Sequence, residues 1–330
     1  MSGLKVGMRL CLPLVLFMAA STVKAATLYV NCGGNGGMAS IGAALRVLQN
    51  GEGHGSSTIN VSGACHENVV IQSMDRLTLK AVNGASISDA SGGKQDVISI
   101  FDSRDVAING FTINAGSDGV SGANGVSCND WSACRLALNV IQGAGSGAGF
   151  AVYQASLATV DGDTFQNNGT GLVVHSGSQV RPGGQTRPIA SRSNGVGIHI
   201  ARQAFVFVAG NIDNNTDRGV VLRFQAVLDL ADGSISHSGS LGAVVIEGSN
   251  ARLNGTITGN GGAGVVIGDL SMVTFTGATV TGNGGGTDVV CNPQYPVTSG
   301  VASTGGTTNC VEPQSERRWA AADLRGGPPM

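Results

Sequence analysis

One short pattern returns along the middle of this chain at nearly constant intervals. A small residue opens a run of three mostly apolar residues: Gly149-Phe-Ala-Val152, Gly171-Leu-Val-Val174, Gly197-Ile-His-Ile200, Gly219-Val-Val-Leu222, Ala243-Val-Val-Ile246 and Gly264-Val-Val-Ile267. The steps are 22, 26, 22, 24 and 21 residues. A second apolar position follows the same beat at Val160, Phe207, Leu230, Leu253 and Phe275, and a third at Phe165, Ile189, Ile212, Ile235, Ile257 and Val280. Each unit therefore carries three short apolar segments separated by Gly, Asn, Asp and Ser. Self-similarity at such a period marks an architecture stacked from one small unit. Three strands and three turns per unit describe one coil of a parallel β-helix. A helical repeat would need 3.6-residue periodicity, which these segments lack, and so much glycine disfavours helix. A propeller blade needs about 40 residues and four strands. A coil cannot bury its apolar side alone, so stacking at about 4.8 Å makes one continuous core.

The turns carry a second regularity. Three residues after the third apolar position stand Asn168, Asn215, Asn260 and Asn283, with Arg192 and Ser238 in the two remaining coils. Asn tolerates left-handed backbone angles and can bond to its counterpart one coil away, so an interrupted Asn ladder is expected. The Asn-x-Thr triplets at Asn168 and Asn254 read as turns rather than glycan acceptors.

Composition then excludes whole function classes. Charged residues are 12% and apolar residues 42%, which is unlike a disordered chain. Lys+Arg number 19 against 21 Asp+Glu, leaving no basic excess for nucleic acid. The 53 Gly have no period of three and accompany only 8 Pro, so the chain is not collagenous. Residues 1–25 have the layout of a secretory signal peptide: Lys5 and Arg9, the apolar run Leu10–Ala20, then Val23-Lys24-Ala25. That run is too short to span a bilayer. The expected product is a secreted or periplasmic protein with no membrane span.

Beyond Cys11 the cysteines are Cys32, Cys65, Cys128, Cys134, Cys291 and Cys310. An even set in an exported chain suggests disulfides. Fifteen pairings are possible; the locally sensible set joins Cys32 to Cys65, Cys128 to Cys134 and Cys291 to Cys310. Zinc is disfavoured because no paired Cys-x-x-Cys spacing occurs. Ala39–Leu48 is the one amphipathic helical stretch, placed to cap an open end of the solenoid. The expected organisation is a solenoid over 26–313, with 26–80 as cap and first coil, and a disordered tail over 314–330.

Ser40-Ile-Gly-Ala-Ala-Leu45, Thr58-Ile-Asn-Val61, Gly63-Ala-Cys-His-Glu-Asn-Val-Val-Ile71 and Leu77-Thr-Leu79 follow one another in an order that resembles the right-handed parallel β-helix proteins related to pectate lyases. The resemblance covers roughly residues 27–310. It implies an all-β, single-domain right-handed parallel β-helix with a short N-terminal capping helix. The family includes lyases, hydrolases and esterases acting on acidic polysaccharides, and members without known activity.

Calcium-dependent members hold the ion with several acidic residues on one sheet. The outward positions here are expected to be Ala151/Tyr153, Val173/His175, His199/Ala201, Val221/Arg223, Val245/Glu247 and Val266/Gly268. No acidic ladder stands among them, so no metal or cofactor is expected. Asp161-Gly162-Asp163 is the nearest candidate for a glycosidase carboxylate pair, but it reads as turn chemistry. One constellation survives: Tyr153, His175, His199, Arg223 and Glu247 on successive coils, with Arg202 just beyond. Catalytic candidates are His175, His199 and Arg223; substrate-binding candidates are Tyr153, Arg202 and Glu247. Histidine serves as a general base, arginine pairs with a carboxylate, and tyrosine stacks on a sugar. The basic loop Arg181–Pro188 would either wall this groove or be plain surface. Three functions remain open: a non-catalytic module binding polysaccharide or a cell-surface ligand through an exposed valine face, a carbohydrate-active lyase or hydrolase using the histidines, and a structural adhesin.

Overall fold

The computed structural model describes residues 25–34, 36–50, 55–292 and 306–310. The expected signal peptide and the expected tail over 314–330 lie outside the described residues. The chain is a single-domain solenoid of parallel strands. Its first sheet stacks ten strands, from Val69–Gln72 to Val289–Cys291, in strict chain order. The other two strands of each coil stack alongside, all in parallel register.

Period-two alternation fixes what faces inward. In the first sheet Phe150 and Val152 stack on Leu172 and Val174, these on Ile198 and Ile200, and these on Val220 and Leu222. All are fully buried. Each such side chain contributes roughly 1.5–3 kcal/mol by leaving water.

The glycine that opens each strand is sterically required. A Cβ on Gly149 would sit 2.7 Å from the Asn168 amide nitrogen and 2.8 Å from the Gly171 carbonyl oxygen. This corner corrects the repeat alignment. The opening glycine of the eighth first-sheet strand is Gly242, whose Cβ would collide with the Gly264 carbonyl oxygen, so Ala243 and Val245 point inward and Val244 outward. The expected outward Val245 is thus a core residue, displaced by one position. Phe207 is likewise misplaced: it faces outward opposite Asp229, and Val208 takes the core position beside Leu230. Ile189 pairs with Gly210, while Ser191 stands between Phe165 and Ile212. Three residues after Ser191 comes Asn194, not Arg192, and Asn194 is the ladder member.

The ladder is therefore more continuous than expected. The Asn168 amide donates to Asn194 Oδ1 at 3.2 Å, and the Asn194 amide to Asn215 Oδ1 at 3.2 Å. The Ser238 backbone N–H donates to Asn260 Oδ1 at 3.0 Å, and the Asn260 amide to Asn283 Oδ1 at 2.9 Å. Asn283 donates in turn to the Asp288 carboxylate, 2.9 Å away. Asn168 is buried and fully engaged in this network, and the Asn254 amide donates to the Ala231 carbonyl oxygen, so both triplets are turn structure.

A capping helix, Ile41–Asn50, begins two residues later than the amphipathic pattern suggested. Ser40 is its N-cap, its hydroxyl accepting from the Ala43 N–H at 3.1 Å. The Glu67 carboxylate accepts from the Ile41 and Gly42 N–H groups at 2.7 and 3.0 Å, placing negative charge at the positive helix end. Disulfides join Cys32 to Cys65, Cys128 to Cys134 and Cys291 to Cys310. The first staples the opening strand Ala26–Cys32 to its neighbour Ser57–His66. Among the described residues no helix is long and apolar enough to cross a membrane.

Successive first-sheet strands in the middle of the solenoid leave through the same corner. Tyr153-Gln-Ala-Ser156, His175-Ser-Gly-Ser178, Ala201-Arg-Gln-Ala204, Arg223-Phe-Gln-Ala226 and Ile246-Glu-Gly-Ser249 all place both central residues at φ between 55° and 72°. That is the signature of a type I′ turn. Buried serines close these corners: the Ser132 N–H donates to Ser156 Oγ at 3.1 Å, and the Ser156 N–H to Ser178 Oγ at 3.2 Å.

Candidate functional site

The outer face of the first sheet presents two columns of side chains. One runs Ala151, Val173, His199, Val221, Val244; the other, two residues later along each strand, runs through His175, Ala201 and Arg223. Tyr153 follows Val152 at the corresponding position of its coil. Because side chains two apart share a face, His175 and His199 meet although they belong to different columns. Their ring centroids are 4.9 Å apart and perpendicular, and Tyr153 lies 5.7 Å from His175. Tyr153 packs over Ala148, Ala151 and Val173, a small apolar cluster on the outside of the sheet.

The expectation of an exposed valine face is overturned along most of the column, Val266 being half-buried. Val173, Val221 and Val244 are only 7%, 5% and 8% exposed. Glu247 also departs from its expected place. Ile246 follows Val245 on the outward face, and Glu247 occupies the turn, with φ 58°. From there its carboxylate still reaches Arg223, accepting from Nη2 at 2.8 Å. Arg202 holds the equivalent turn position two coils earlier, with φ 57°. Tyr153, His175 and His199 are thus brought into direct contact, Arg223 and Glu247 form an ion pair beside them, and Arg202 stands at the rim.

The electrostatics follow from burial and from the arginines. Burial pushes the His175 pKa down to about 4, with His199 and Arg202 adding repulsion. Burial also lowers that of His199, helped by Arg223 and Arg218. Burial raises that of Tyr153, as does the charge of Asp96. At neutral pH the face therefore presents two uncharged imidazoles and a protonated phenol, bordered by guanidinium groups.

The hydrogen-bond inventory of this face is incomplete. Ser127 Oγ, His175 Nε2, His199 Nε2, Arg218 Nε, Arg223 Nε and Glu247 Oε2 are shielded from solvent and have no hydrogen-bond partner, Arg218 Nε standing 3.6 Å from the Asp217 carboxylate in an ion pair. Ser127 lies in the Ala151 column, two coils from Val173. Arg218 begins the strand that ends at Arg223, opposite Val196. Neither was among the expected site residues. Arg218 precedes the opening Gly219, at the position held by Val196 and Thr170 one and two coils earlier in the stack, and that regularity is visible in the sequence. Beside the histidines, Arg202, Gln203, Phe224, Gln225 and Glu247 line an open cavity of about 560 Å³.

Other candidates fall outside this face. Asp163 is fully buried in a turn, accepting from the Asn139 N–H and amide and from the Asp161 N–H, and burial raises its pKa to about 6. The loop at Arg181–Pro188 joins two strands outside the first sheet, Gln179–Pro182 and Ile189–Arg192. It covers a cavity of about 270 Å³ lined by Thr186, Arg187, Phe207 and their neighbours, remote in the coil from the histidines. Among the described residues the one group of three potential metal ligands is Cys32, Cys65 and Glu67. Its sulfurs are joined in a disulfide and its carboxylate caps the helix.

No protein-family model and no curated protein matches the chain. Solved structures do. The A-module of mannuronan C-5 epimerase AlgE4 from Azotobacter vinelandii aligns with a TM-score of 0.58 at 13% identity, covering 83% of this chain and 94% of that one. The Dettilon tailspike protein gp208 aligns at 0.48 and 11% identity, covering 86% and 68%. PfbA, a surface adhesin of Streptococcus pneumoniae, aligns at 0.31 and 10% identity, covering 74% and 69%. At these identities the likeness concerns the backbone alone, and with the strand order described above the fold is that of a right-handed parallel β-helix protein.

Proposed function

We propose that the outer face of the first sheet binds a polysaccharide chain, with Tyr153, His175, His199, Arg218 and Arg223 at its centre. One observation carries this reading: the unpartnered polar atoms of the described residues gather almost entirely on this face. A buried donor or acceptor left unpaired costs about 1–3 kcal/mol, so these groups gain when the half-exposed Arg218 and Arg223 side chains turn towards a ligand rich in hydroxyl or carboxylate groups. Sugars supply both, and the arginines favour an acidic chain. The solved structures support the class: one is an epimerase of mannuronan, and this chain shares its backbone over most of its length. The three disulfides support an oxidising, extracytoplasmic setting.

A second reading, a carbohydrate-active enzyme, is favoured by the contact between two neutral imidazoles and a protonated phenol. Neutral imidazole accepts a proton and phenol donates one, which is the minimum equipment for general acid–base chemistry on a bound sugar.

One experiment separates the two. The protein is incubated with a panel of uronate polysaccharides; co-sedimentation reports binding, and ultraviolet absorbance and product chromatography report turnover. Binding lost in His199→Ala and Arg223→Ala without turnover in the wild type supports the module. Turnover that disappears in the same variants supports the enzyme. Wild-type protein that neither binds nor converts any member of the panel would falsify both.

A further inference from the structure

The corner beside the histidines shares its backbone with its neighbours but not its side chains. Phe224 and Gln225 occupy the two left-handed positions of their type I′ turn, and Arg202 and Gln203 those of the preceding coil. Glycine and small polar residues suit such positions, and Ser176-Gly177 shows that this corner closes well with them. Bulky side chains at these positions recur in other coils, as at Asp130-Trp131 and Asp269-Leu270, so what sets this corner apart is the space its side chains enclose. All four residues turn towards the same 560 Å³ cavity, completed by Glu247, and its size lies in the range of small-ligand sites.

The lining has a definite chemistry. Phe224 is 48% exposed and offers a flat apolar surface, with the Arg223 guanidinium 5.2 Å from its centroid. Gln203 Nε2 donates to Gln225 Oε1 at 3.2 Å, which leaves the Gln203 carbonyl as an acceptor and the Gln225 amide as a donor. Glu247 gives Oε1 to Arg223, while its Oε2 is shielded and unpartnered. An aromatic face next to amides and one acceptor-only carboxylate matches a ring with C–H groups on one side and hydroxyls at its edge. A second carboxylate would stand against Glu247 and could not donate to it.

We propose that this cavity is a subsite for one neutral pyranose ring of the bound glycan, its C–H face on Phe224 and its hydroxyls on Glu247 and the Gln203–Gln225 amide pair. The assignment rests on the glycan-binding reading of the neighbouring face and adds that the bound chain contains uncharged sugars and continues across the turn ridge.

Titration calorimetry with three hexasaccharides tests it: cellohexaose, a hexuronate hexamer, and an alternating glucose–glucuronate hexamer. Phe224→Gly removes the ring and suits the left-handed backbone, so its melting temperature should match or exceed that of the wild type. Its affinity for the glucose-containing probes should fall roughly tenfold, about 1.4 kcal/mol, while Phe224→Trp retains it. Phe224→Gly within twofold of wild type on every probe overturns the subsite. If His175→Ala/His199→Ala abolishes binding in that case, the face reading survives alone. If Phe224→Gly loses affinity while the double histidine variant does not, the subsite stands and the histidine face is not the binding surface. Wild-type affinity for the hexuronate alone overturns the neutral-sugar assignment, and absence of wild-type binding to all three overturns subsite and face together.

Discussion

Asn194 offers the sharpest test of how the coils are held together. It is 1% exposed, and its side chain serves three coils at once. Oδ1 accepts from the Asn168 backbone N–H at 3.0 Å, and Nδ2 donates to the Phe165 carbonyl oxygen at 3.1 Å. Asn194→Ala deletes both partners. The Asn168 amide keeps its bond to the Ile141 carbonyl oxygen and the Phe165 carbonyl keeps its place in the strand ladder, but the Asn168 N–H is left buried and unpaired. At about 1–3 kcal/mol for such a group, that is the expected loss. Asn214→Gly is the control, because that exposed amide bonds only to Asp213 and glycine suits its φ of 55°, so it should cost under about 0.5 kcal/mol. Asn194→Ser should fall between, since Ser238 already fills the equivalent rung elsewhere. Urea unfolding followed by far-ultraviolet circular dichroism gives the global effect. Native-state hydrogen exchange at the Asn168 amide gives the local one, accelerated about tenfold for every 1.4 kcal/mol. An Asn194→Ala variant as stable as Asn214→Gly, with Asn168 exchange unchanged, would refute the ladder as a source of stability.

Three further outcomes follow from the same structure. His175 titrates near 4 in the folded chain against 6.5 unfolded, so the unfolded chain binds the extra proton between those values; the stability present above about pH 6.5 is lost as the pH falls towards 4, and His175→Gln should flatten melting temperature against pH in that window. Glu67→Ala removes the acceptor of two N–H groups at the capping helix and should cost about 1–2 kcal/mol in urea unfolding, with Glu67→Gln costing less. Gly242→Ala forces a methyl group against the Gly264 carbonyl and should lower the melting temperature well below that of Gly184→Ala, whose added methyl meets nothing within 4 Å; equal melting temperatures would contradict the corner geometry.

The repeat made the architecture readable because every coil buries the same positions, and few folds besides a solenoid combine a period of two with a period near 22. The errors sit where that spacing wavers. The loop before Pro188 lengthens one coil, and there Ile189 is a core residue two positions out of register, opposite Gly210, while the small Ser191 stands in line with Phe165 and Ile212. A register irregularity between Val208 and Gly210 follows at once. Within alternating Phe205-Val-Phe-Val208, apolar character alone does not say which set faces inward, and the larger ring was the wrong choice. A slip of one residue reverses every side chain, as Val244 and Val245 show. The histidine contact was legible because His175 and His199 keep to the outward face whichever column they occupy. The role of Arg218 was not, because it lies ahead of the glycine that marked the start of each strand. The closing serines were overlooked because serine is common throughout the chain and only their spacing from the turn distinguishes them.

The Asn ladder has a direction. The amides of Asn168, Asn194 and Asn260 each donate towards the C-terminal end, and their carbonyl oxygens accept from the N-terminal side. The last member, Asp288, has only acceptors: one oxygen receives Asn283 and the other receives the Thr307 N–H and hydroxyl. A further asparagine stacked beyond it would find no donor to receive. Among the described residues the run therefore ends on a carboxylate, which turns from receiving an amide to receiving the Thr307 N–H and hydroxyl, so that the segment around Thr307 and Thr308 is pinned beside Val289 by the same group that closes the ladder.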